Sequence, residues 1–175
     1  MSETKNNSYA DAVIAIVRAE SAPAEVEDEL FRFARALEGN EELRGTLTDP
    51  HLPAALRQQV VQDLLGGKAS DATVAIVSLL VGLGRIGDLP KIVDEVIERS
   101  AGTRGELVAE VRSAVALTPD QQQRLAAALS ARTEGNVTVR NVVDPTVLGG
   151  VVTTIGDSVL DGSVRTRLTQ LRDAF

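Results

Sequence analysis

The chain has 175 residues, of which 43% are hydrophobic, so it is long enough for one domain or two small ones with a real core. Its net charge of −7 and aromatic content of 2% exclude a surface that follows nucleic-acid phosphates and stacks on bases, because such a surface needs an excess of lysine and arginine. The absence of cysteine excludes disulfides and thiolate-ligated metal sites.

The first residues and the longest apolar run bear on targeting and membrane insertion. Residues 1–8 are polar and lack an apolar core, so we expect no signal peptide. The longest uncharged apolar run extends from Ala72 to Gly84. As a helix this run would reach roughly 20 Å, which is short of the ~30 Å hydrocarbon core of a bilayer. We therefore expect no membrane-spanning helix.

Apolar residues at helical spacing predict a compact bundle of short helices in the N-terminal part of the chain. The first helix is predicted to start at Ser8, which can act as its N-cap, and to end before Ser21-Ala22-Pro23. The second is predicted to end at Gly39-Asn40, the third at Asp49-Pro50 and the fourth at Gly66-Gly67. The apolar stripes of these four helices contain Tyr9, Val13, Ile16 and Val17; Val26, Leu30, Phe33, Ala34 and Leu37; Leu43 and Leu47; and Leu56, Val60, Leu64 and Leu65.

A fifth predicted helix, from Ser70 to about Leu83, is apolar almost all round. Such a helix is either central to a core or has a partner on its second face, and the residues alone leave both alternatives open. A sixth helix is predicted to begin near Asp88 or Leu89, with Pro90 in its first turn. Its apolar stripe contains Ile92, Val93, Val96 and Ile97.

The pattern changes at residues 101–105, and we place a domain boundary between residues 104 and 105. From Leu107 the apolar period becomes two, which is typical of a strand. Thr118-Pro119-Asp120-Gln121 predicts a helix start, and Asn136 to Val143 predicts another strand. Residues 1–104 carry 11 basic and 17 acidic side chains, against 7 and 8 in residues 105–175. The predicted fold class is mainly α: a six-helix bundle over 1–104, then a small α+β domain over 105–175.

The C-terminal stretch that begins at Asp144-Pro145 predicts strand, turn, strand, turn and helix. Val147 to Ile155 is β-branched and apolar, and Gly149-Gly150 within it suggests a bulge or a close backbone approach. Gly156-Asp157 predicts a turn before a short strand from Ser158 to Leu160. Asp161-Gly162 then forms a second predicted turn, and Ser163 can cap a final helix whose apolar stripe is Val164, Leu168 and Leu171.

Three motifs that can carry chemistry have a structural interpretation that fits better. Residues 82–87 match the spelling GxGxxG, but a dinucleotide site needs a strand before it and this segment follows a predicted helix. A calcium loop that started at Asp157 would place Val159 and Leu168 where ligands are required. His51 is the only histidine, so a metal site would have only one nitrogen ligand, and the sequence contains no nucleophile elbow with which His51 could form a catalytic triad. We expect no catalytic residue, cofactor or metal site.

The C-terminal stretch also resembles a family signature. The resemblance rests on Asp144, Leu148-Gly149-Gly150, Gly156-Asp157, Asp161-Gly162-Ser163 and Leu168. These residues resemble the C-terminal signature of the delta subunit of F-type ATP synthases, whose mitochondrial relative is the oligomycin-sensitivity-conferring protein. Two further stretches are similar to family members, namely Tyr9-Ala10-Asp11-Ala12, and Gly84-Arg85-Ile86 followed by Leu89-Pro90.

The resemblance implies a non-catalytic stator subunit, present in one copy, of a proton-translocating ATP synthase. It implies a peripheral location at the cytoplasmic face of a bacterial cell membrane, where the subunit links the catalytic head to the b-subunit stalk. It further implies that helices one and five bind the N-terminal helix of the alpha subunit, and that the C-terminal domain binds the end of the b subunit. The candidates for the alpha contact are Tyr9, Ala12, Val13, Ile16, Val74, Val77, Ser78 and Val81; those for the b contact are Val164, Leu168 and Leu171, which fit a core anchor of the last helix equally well.

Two functions from other classes remain as alternatives. One is a helical adaptor unrelated to ATP synthase, which would not co-purify with synthase subunits. The other is an enzyme that binds nucleotide through residues 82–87. Saturable nucleotide binding that is lost in Gly84→Asp would support the enzyme, and no binding at millimolar nucleotide would exclude it.

Overall fold

The computed structural model describes residues 2–133, 135–147, 149–156 and 158–161. The chain divides into two compact units, residues 1–97 (unit 1) and residues 98–175 (unit 2). The described residues form seven α-helices, one 3-10 turn and four strands. The predicted fold class, mainly α with a small mixed sheet in the C-terminal part, is confirmed.

Unit 1 is helical, and α6 continues from it into unit 2. The helices are α1 (Ser2–Ala19), α2 (Pro23–Gly39), α3 (Glu41–Thr48), α4 (Ala54–Leu65), α5 (Asp71–Gly82) and, after a 3-10 turn over Ile86–Asp88, α6 (Leu89–Arg104). The prediction that Ser8 caps the first helix is wrong, because α1 already begins at Ser2. The residues before Ser8 are polar and carry no apolar period, so the pattern could not reveal this turn of helix.

Side-chain caps explain why the helices of unit 1 begin where they do. Asn40 separates α2 from α3, and its Oδ1 accepts a hydrogen bond from the Leu43 amide at 3.0 Å. Ser70 caps α5 in the same way, since its hydroxyl accepts from the Thr73 amide at 3.3 Å. Each cap satisfies an amide that has no partner inside its helix.

The core of unit 1 is mostly aliphatic, with Phe31 and Phe33 of α2 also buried in it. Leu30, Leu47, Val61, Ile76 and Leu80 are among its fully buried side chains, and each contributes roughly 1.5–3 kcal/mol by leaving water. The guanidinium of Arg57 is also buried. It donates from Nη1 to the Leu47 carbonyl at 3.0 Å and from Nε to the Leu52 carbonyl at 3.2 Å, and so joins α4 to the end of α3.

The described part of unit 2 beyond α6 is a four-stranded mixed sheet with one helix. It contains β1 (Glu106–Ser113), α7 (Pro119–Thr133), β2 (Asn136–Val143), β3 (Val151–Ile155) and β4 (Ser158–Asp161). The strand order is β2-β1-β3-β4; β1 and β2 are parallel, and the other neighbours are antiparallel. The α7 crossover supplies the connection that a parallel pair requires. The core contains Ala109, Val111, Leu129 and Val137, with Leu117, Leu125, Val139, Val151 and Ile155 packed around them.

The β2–β3 connection departs from the sequence prediction. A strand was predicted from Val147, whereas β3 begins at Val151. Gly149 and Gly150 have φ of 69° and 72°, and two successive left-handed residues cannot continue a pleated strand. Asp144 organises the loop: its Oδ1 accepts from the Thr146 amide at 2.9 Å and the Thr146 hydroxyl at 2.6 Å. These hydrogen bonds from Thr146 hold the pKa of Asp144 below its ordinary value.

Other residues of the family signature are only partly described. Gly156 adopts a φ of 53° in the turn between β3 and β4, and Asp161 is the last residue of β4. The predicted roles of the remaining signature residues lie outside the described residues, as do those of the b-subunit candidates. These residues are Leu148, Asp157, Gly162, Ser163, Val164, Leu168 and Leu171.

Thr118→Ala is expected to lower the free energy of unfolding of unit 2 by about 1 kcal/mol. The Thr118 hydroxyl accepts from the Gln121 amide at 3.3 Å, and the Gln121 carboxamide oxygen accepts from the Thr118 amide at 2.9 Å, so the substitution breaks a reciprocal cap at the start of α7. Urea denaturation followed by circular dichroism measures the loss. Gln123→Ala, at an exposed position of α7, is the control and should change little; an equal loss in both variants would contradict the capping role.

Candidate functional site

The structure brings the predicted alpha-binding helices together. In unit 1, α1 packs against both α2 and α5. The guanidinium carbon of Arg85 lies 5.6 Å from the centroid of the Tyr9 ring, a distance at which a cation is attracted to an aromatic face. This contact places the N-terminal part of α1 beside the residues that follow α5.

Burial divides the predicted alpha-binding residues into two groups. Val77 and Val81 are 0% exposed, so the structure places them in the core of unit 1 and corrects their assignment to an outward surface. Val13 and Val74 are buried as well. Ala12 is exposed, and Tyr9, Ile16 and Ser78 are half-buried. Partner binding by these last four residues stays a prediction.

The outward side of α5 is formed by other residues, which we call the α5 face: Ala75, Leu79 and Leu83. Ala75 is exposed, and Leu79 and Leu83 are 49% and 51% exposed, so three apolar side chains at four-residue spacing lie at the surface on one side of the helix. Sequence reasoning missed this face. Its signal was Asp71, the only charged residue of α5, which stands four residues before Ala75 and eight before Leu79 and so marks the solvent side of the helix.

Glu29 of α2 fixes the start of α5. Its carboxylate accepts from the Ser70 amide at 2.9 Å, the Ser70 hydroxyl at 2.7 Å and the Thr73 hydroxyl at 2.6 Å. Burial alone raises the pKa of Glu29, but the hydrogen bonds from Thr73 and Ser70, together with Arg32, lower it below its ordinary value. The ionised carboxylate therefore stabilises the N-terminus of α5, where the helix dipole also favours negative charge.

Gln58 of α4 positions the middle of α5. Its Nε2 donates to the Ser78 carbonyl at 3.0 Å, and a Cβ built at Gly82 would meet the same nitrogen at 3.0 Å. These two contacts show that Ser78 and Gly82 lie on the side of α5 next to α4. Hydrogen bonds to Glu29 at one end and from Gln58 along one side thus hold the helix that carries the α5 face.

The structure supports the structural interpretation of the glycine-rich segment. Residues 82–87 follow α5, Gly84 adopts a φ of 65°, and the 3-10 turn begins at Ile86. The segment therefore ends one helix and leads into the next, without the preceding strand that a dinucleotide site requires. Arg85 Nη2 pairs with Asp88 Oδ2 at 3.2 Å within this connection.

The candidate calcium loop that starts at Asp157 lies largely outside the described residues, and His51 occupies an ordinary position. His51 is exposed in the turn after α3, and its amide donates to Asp49 Oδ1 at 2.8 Å. Among the described residues, no three His, Cys, Asp or Glu side chains form a group that could hold a metal ion. None of the described helices combines the length and apolarity needed to cross a bilayer.

In unit 2, apolar side chains are exposed at both ends of the sheet. Val115 follows the end of β1, and Val143 ends β2 at the same edge, because Ser113 and Val143 are opposite each other in the parallel register. Leu107 is exposed near the start of β1, and Val159 on β4. These side chains offer apolar contact area, although none of them is among the predicted b-subunit contacts.

Comparison with known proteins identifies the family of this chain. The family model for the ATP synthase delta (OSCP) subunit matches residues 6–175. The chain belongs to the ATP synthase delta (OSCP) subunit family. The resemblance read from the C-terminal signature is thereby confirmed.

Curated relatives of this delta/OSCP family member differ in length. ATP synthase subunit delta of Nocardia farcinica is 43% identical over 149 residues, which are 84% of this chain and 54% of the relative. ATP synthase subunit delta of Parafrankia is 39% identical, over 93% of this chain and 58% of the relative. The chain thus spans a little over half the length of these relatives. The subunit delta of Desulforudis audaxviator is 32% identical over 95% of this chain and 92% of its own length.

A solved structure shows the same fold at low identity. A chain in the cryo-EM structure of the Toxoplasma gondii mitochondrial ATP synthase hexamer superposes on this delta/OSCP chain with a TM-score of 0.58. The match covers 97% of this chain and 96% of the other, at 20% sequence identity.

Proposed function

We propose that this chain is a non-catalytic subunit of the peripheral stalk of a proton-translocating F-type ATP synthase. Unit 1 binds the N-terminal helix of the alpha subunit on α1 and the α5 face, and unit 2 binds the end of the b subunit. The subunit thereby keeps the catalytic head from turning with the rotor, so that rotation drives ATP synthesis. It acts as a peripheral protein at the cytoplasmic face of the membrane. Membership of the delta/OSCP family supports this proposal.

The observation that carries the alpha contact is the α5 face. A helix that lays its apolar stripe on Leu79 and Leu83 removes two half-exposed leucines from water, and full burial of a leucine is worth roughly 1.5–3 kcal/mol. Because these side chains are already outward, unit 1 can accept the helix without opening its core. On α1, which packs against α5, Ala12, Ala15 and Ala19 are exposed, and their small side chains allow another helix to approach closely.

The function requires adhesion at two places in one chain. When both partners belong to the same complex, binding of the second becomes intramolecular and gains from a raised effective concentration. Two contacts of moderate affinity can therefore hold the head against the torque of rotation. For unit 2, the exposed Val115 and Val143 support an apolar contact with the b subunit.

Leu79→Asp is expected to weaken binding of a peptide that copies the N-terminal segment of the cognate alpha subunit by at least about tenfold, because a charge replaces an apolar contact at the centre of the α5 face. Isothermal titration calorimetry measures the affinity of the full chain for this peptide. Wild-type protein is expected to bind one peptide per chain. Circular dichroism establishes that the variant is folded.

Leu56→Asp provides the matched control. Leu56 is a leucine on α4 that is 57% exposed, so it carries the same substitution at similar exposure on another helix. We expect its affinity for the peptide to equal that of the wild type. Equal weakening in both variants would place the contact elsewhere, and no binding by a folded wild type would favour a helical adaptor unrelated to the synthase.

A further inference from the structure

The net charge of the chain resides entirely in unit 1. Residues 1–97 carry 9 basic and 16 acidic side chains, a net charge of −7, whereas residues 98–175 carry 9 of each. A charge of this size on a small unit produces a field that extends beyond its surface and is screened by salt. Unit 1 is therefore the part of the molecule that attracts cations.

Several basic side chains of unit 1 are already engaged with acceptors of their own unit. Arg32 pairs with Asp28 at 3.0 Å, and Arg44 with Glu41 at 2.7 Å. Arg57 is buried against the carbonyls described above. The excess negative charge of unit 1 therefore resides on carboxylates, several of which are exposed.

One of these carboxylates belongs to the stripe that forms the α5 face. Asp71 is exposed, stands one turn before Ala75 and two turns before Leu79, and forms no ion pair with a described residue. Two helical turns are about 11 Å, so a helix that lies on Leu79 and extends along the α5 face toward Ala75 would bring its polar flank toward this carboxylate. An opposite charge on that flank is favourable and a like charge is costly, most of all at low salt.

We propose that the helix that docks on the α5 face carries lysine or arginine beside its apolar stripe, and that the negative charge of unit 1 accelerates its association. The proposal rests on the proposed function and adds the chemistry of the partner. The leucines supply most of the affinity, which resides in slow dissociation. The carboxylates supply rate and selectivity, since charge complementarity steers encounter and disfavours anionic helices.

Stopped-flow measurements of the association and dissociation rates on the full chain test the cationic-helix proposal. The probes are the peptide from the cognate alpha subunit and a companion in which each lysine and arginine is replaced by glutamine. For the natural peptide, we expect the association rate constant to fall about tenfold or more between about 20 mM and about 300 mM sodium chloride, with little change in dissociation. The companion is expected to associate slowly at both salt concentrations.

Asp71→Asn and Glu42→Gln distinguish the effect of a charge beside the α5 face from the effect of the net charge of unit 1. Each removes one exposed acid from the first turn of a helix, α5 and α3 respectively, so the loss of helix-dipole stabilisation is matched. At low salt, Asp71→Asn is expected to slow association about twofold, and Glu42→Gln by clearly less.

The outcomes distinguish the two proposals. Tight binding with an association rate that does not depend on salt, or equal association of both peptides, would overturn the cationic-helix proposal and leave the proposed function intact. Absence of binding by the folded wild type would overturn both. An equal effect of the two acid substitutions would overturn the placement of the cationic flank next to Asp71.

Discussion

Val77→Asp is expected to unfold unit 1, whereas Leu79→Asp leaves it folded. Val77 is 0% exposed, and a carboxylate at this position would lose its water without gaining a partner, at a cost of about 4 kcal/mol or more. This cost is comparable to the whole stability of many small domains, about 5–15 kcal/mol. Leu79, two residues further along the same helix, is 49% exposed and can carry a charge in water.

Thermal and urea denaturation, followed by circular dichroism, measures the difference in stability between Val77→Asp and Leu79→Asp. Leu79→Asp is the matched control, because it introduces the same residue into the same helix. If Val77→Asp stayed folded and lost peptide binding, Val77 would lie on the docking surface after all, as the sequence predicts. If both variants unfolded, the α5 face would belong to the core, and the proposed alpha contact would have no exposed surface on α5.

Glu29→Ala is expected to lower the free energy of unfolding of unit 1 by about 2 kcal/mol, because solvent screens the half-buried carboxylate in part. The substitution removes the acceptor of the Ser70 amide and of the Ser70 and Thr73 hydroxyls, and the Thr73 side chain is fully buried. Buried donors left without a partner account for most of the cost. Glu29→Gln keeps an oxygen acceptor and should lose less.

The contribution of Glu29 to stability should also depend on pH. Its pKa in the folded chain lies below the ordinary value of 4.5, so folding favours the ionised form. The stabilisation is complete above that value and is lost as the pH falls through the lowered pKa. We therefore expect the difference in unfolding free energy between wild type and Glu29→Gln to shrink on acidification below about pH 4.5. A difference that stays constant through this pH range would contradict the role of Glu29.

Local signals predicted most of the elements correctly, because each signal acts within a few residues. The capping pair of Thr118 and Gln121 marks the start of α7, and Asn40 and Ser70 mark those of α3 and α5. The prediction was less accurate where the signal needs a distant partner. The alternation that starts at Leu107 continues in the sequence to Leu117, but β1 ends at Ser113. There the Asn141 carboxamide donates to the Val111 carbonyl and accepts from the Leu117 amide, so a residue of β2 ends the ladder.

By itself, the sequence determined the family, the fold class and the helical character of residues 70–83, because a signature, a period and a cap are read from neighbouring residues. The tertiary structure decided which side of α5 faces outward, a side that Asp71 alone marks in the sequence of this helix. The valine, isoleucine and leucine side chains of α5 point in all directions around the helix axis, so the apolar pattern does not single out one buried face. The contacts from Glu29 and Gln58 and the packing of the surrounding helices set its rotation, which buries Val77 and Val81 and leaves Leu79 and Leu83 at the surface. Those contacts join residues far apart in the chain, and no local pattern encodes them.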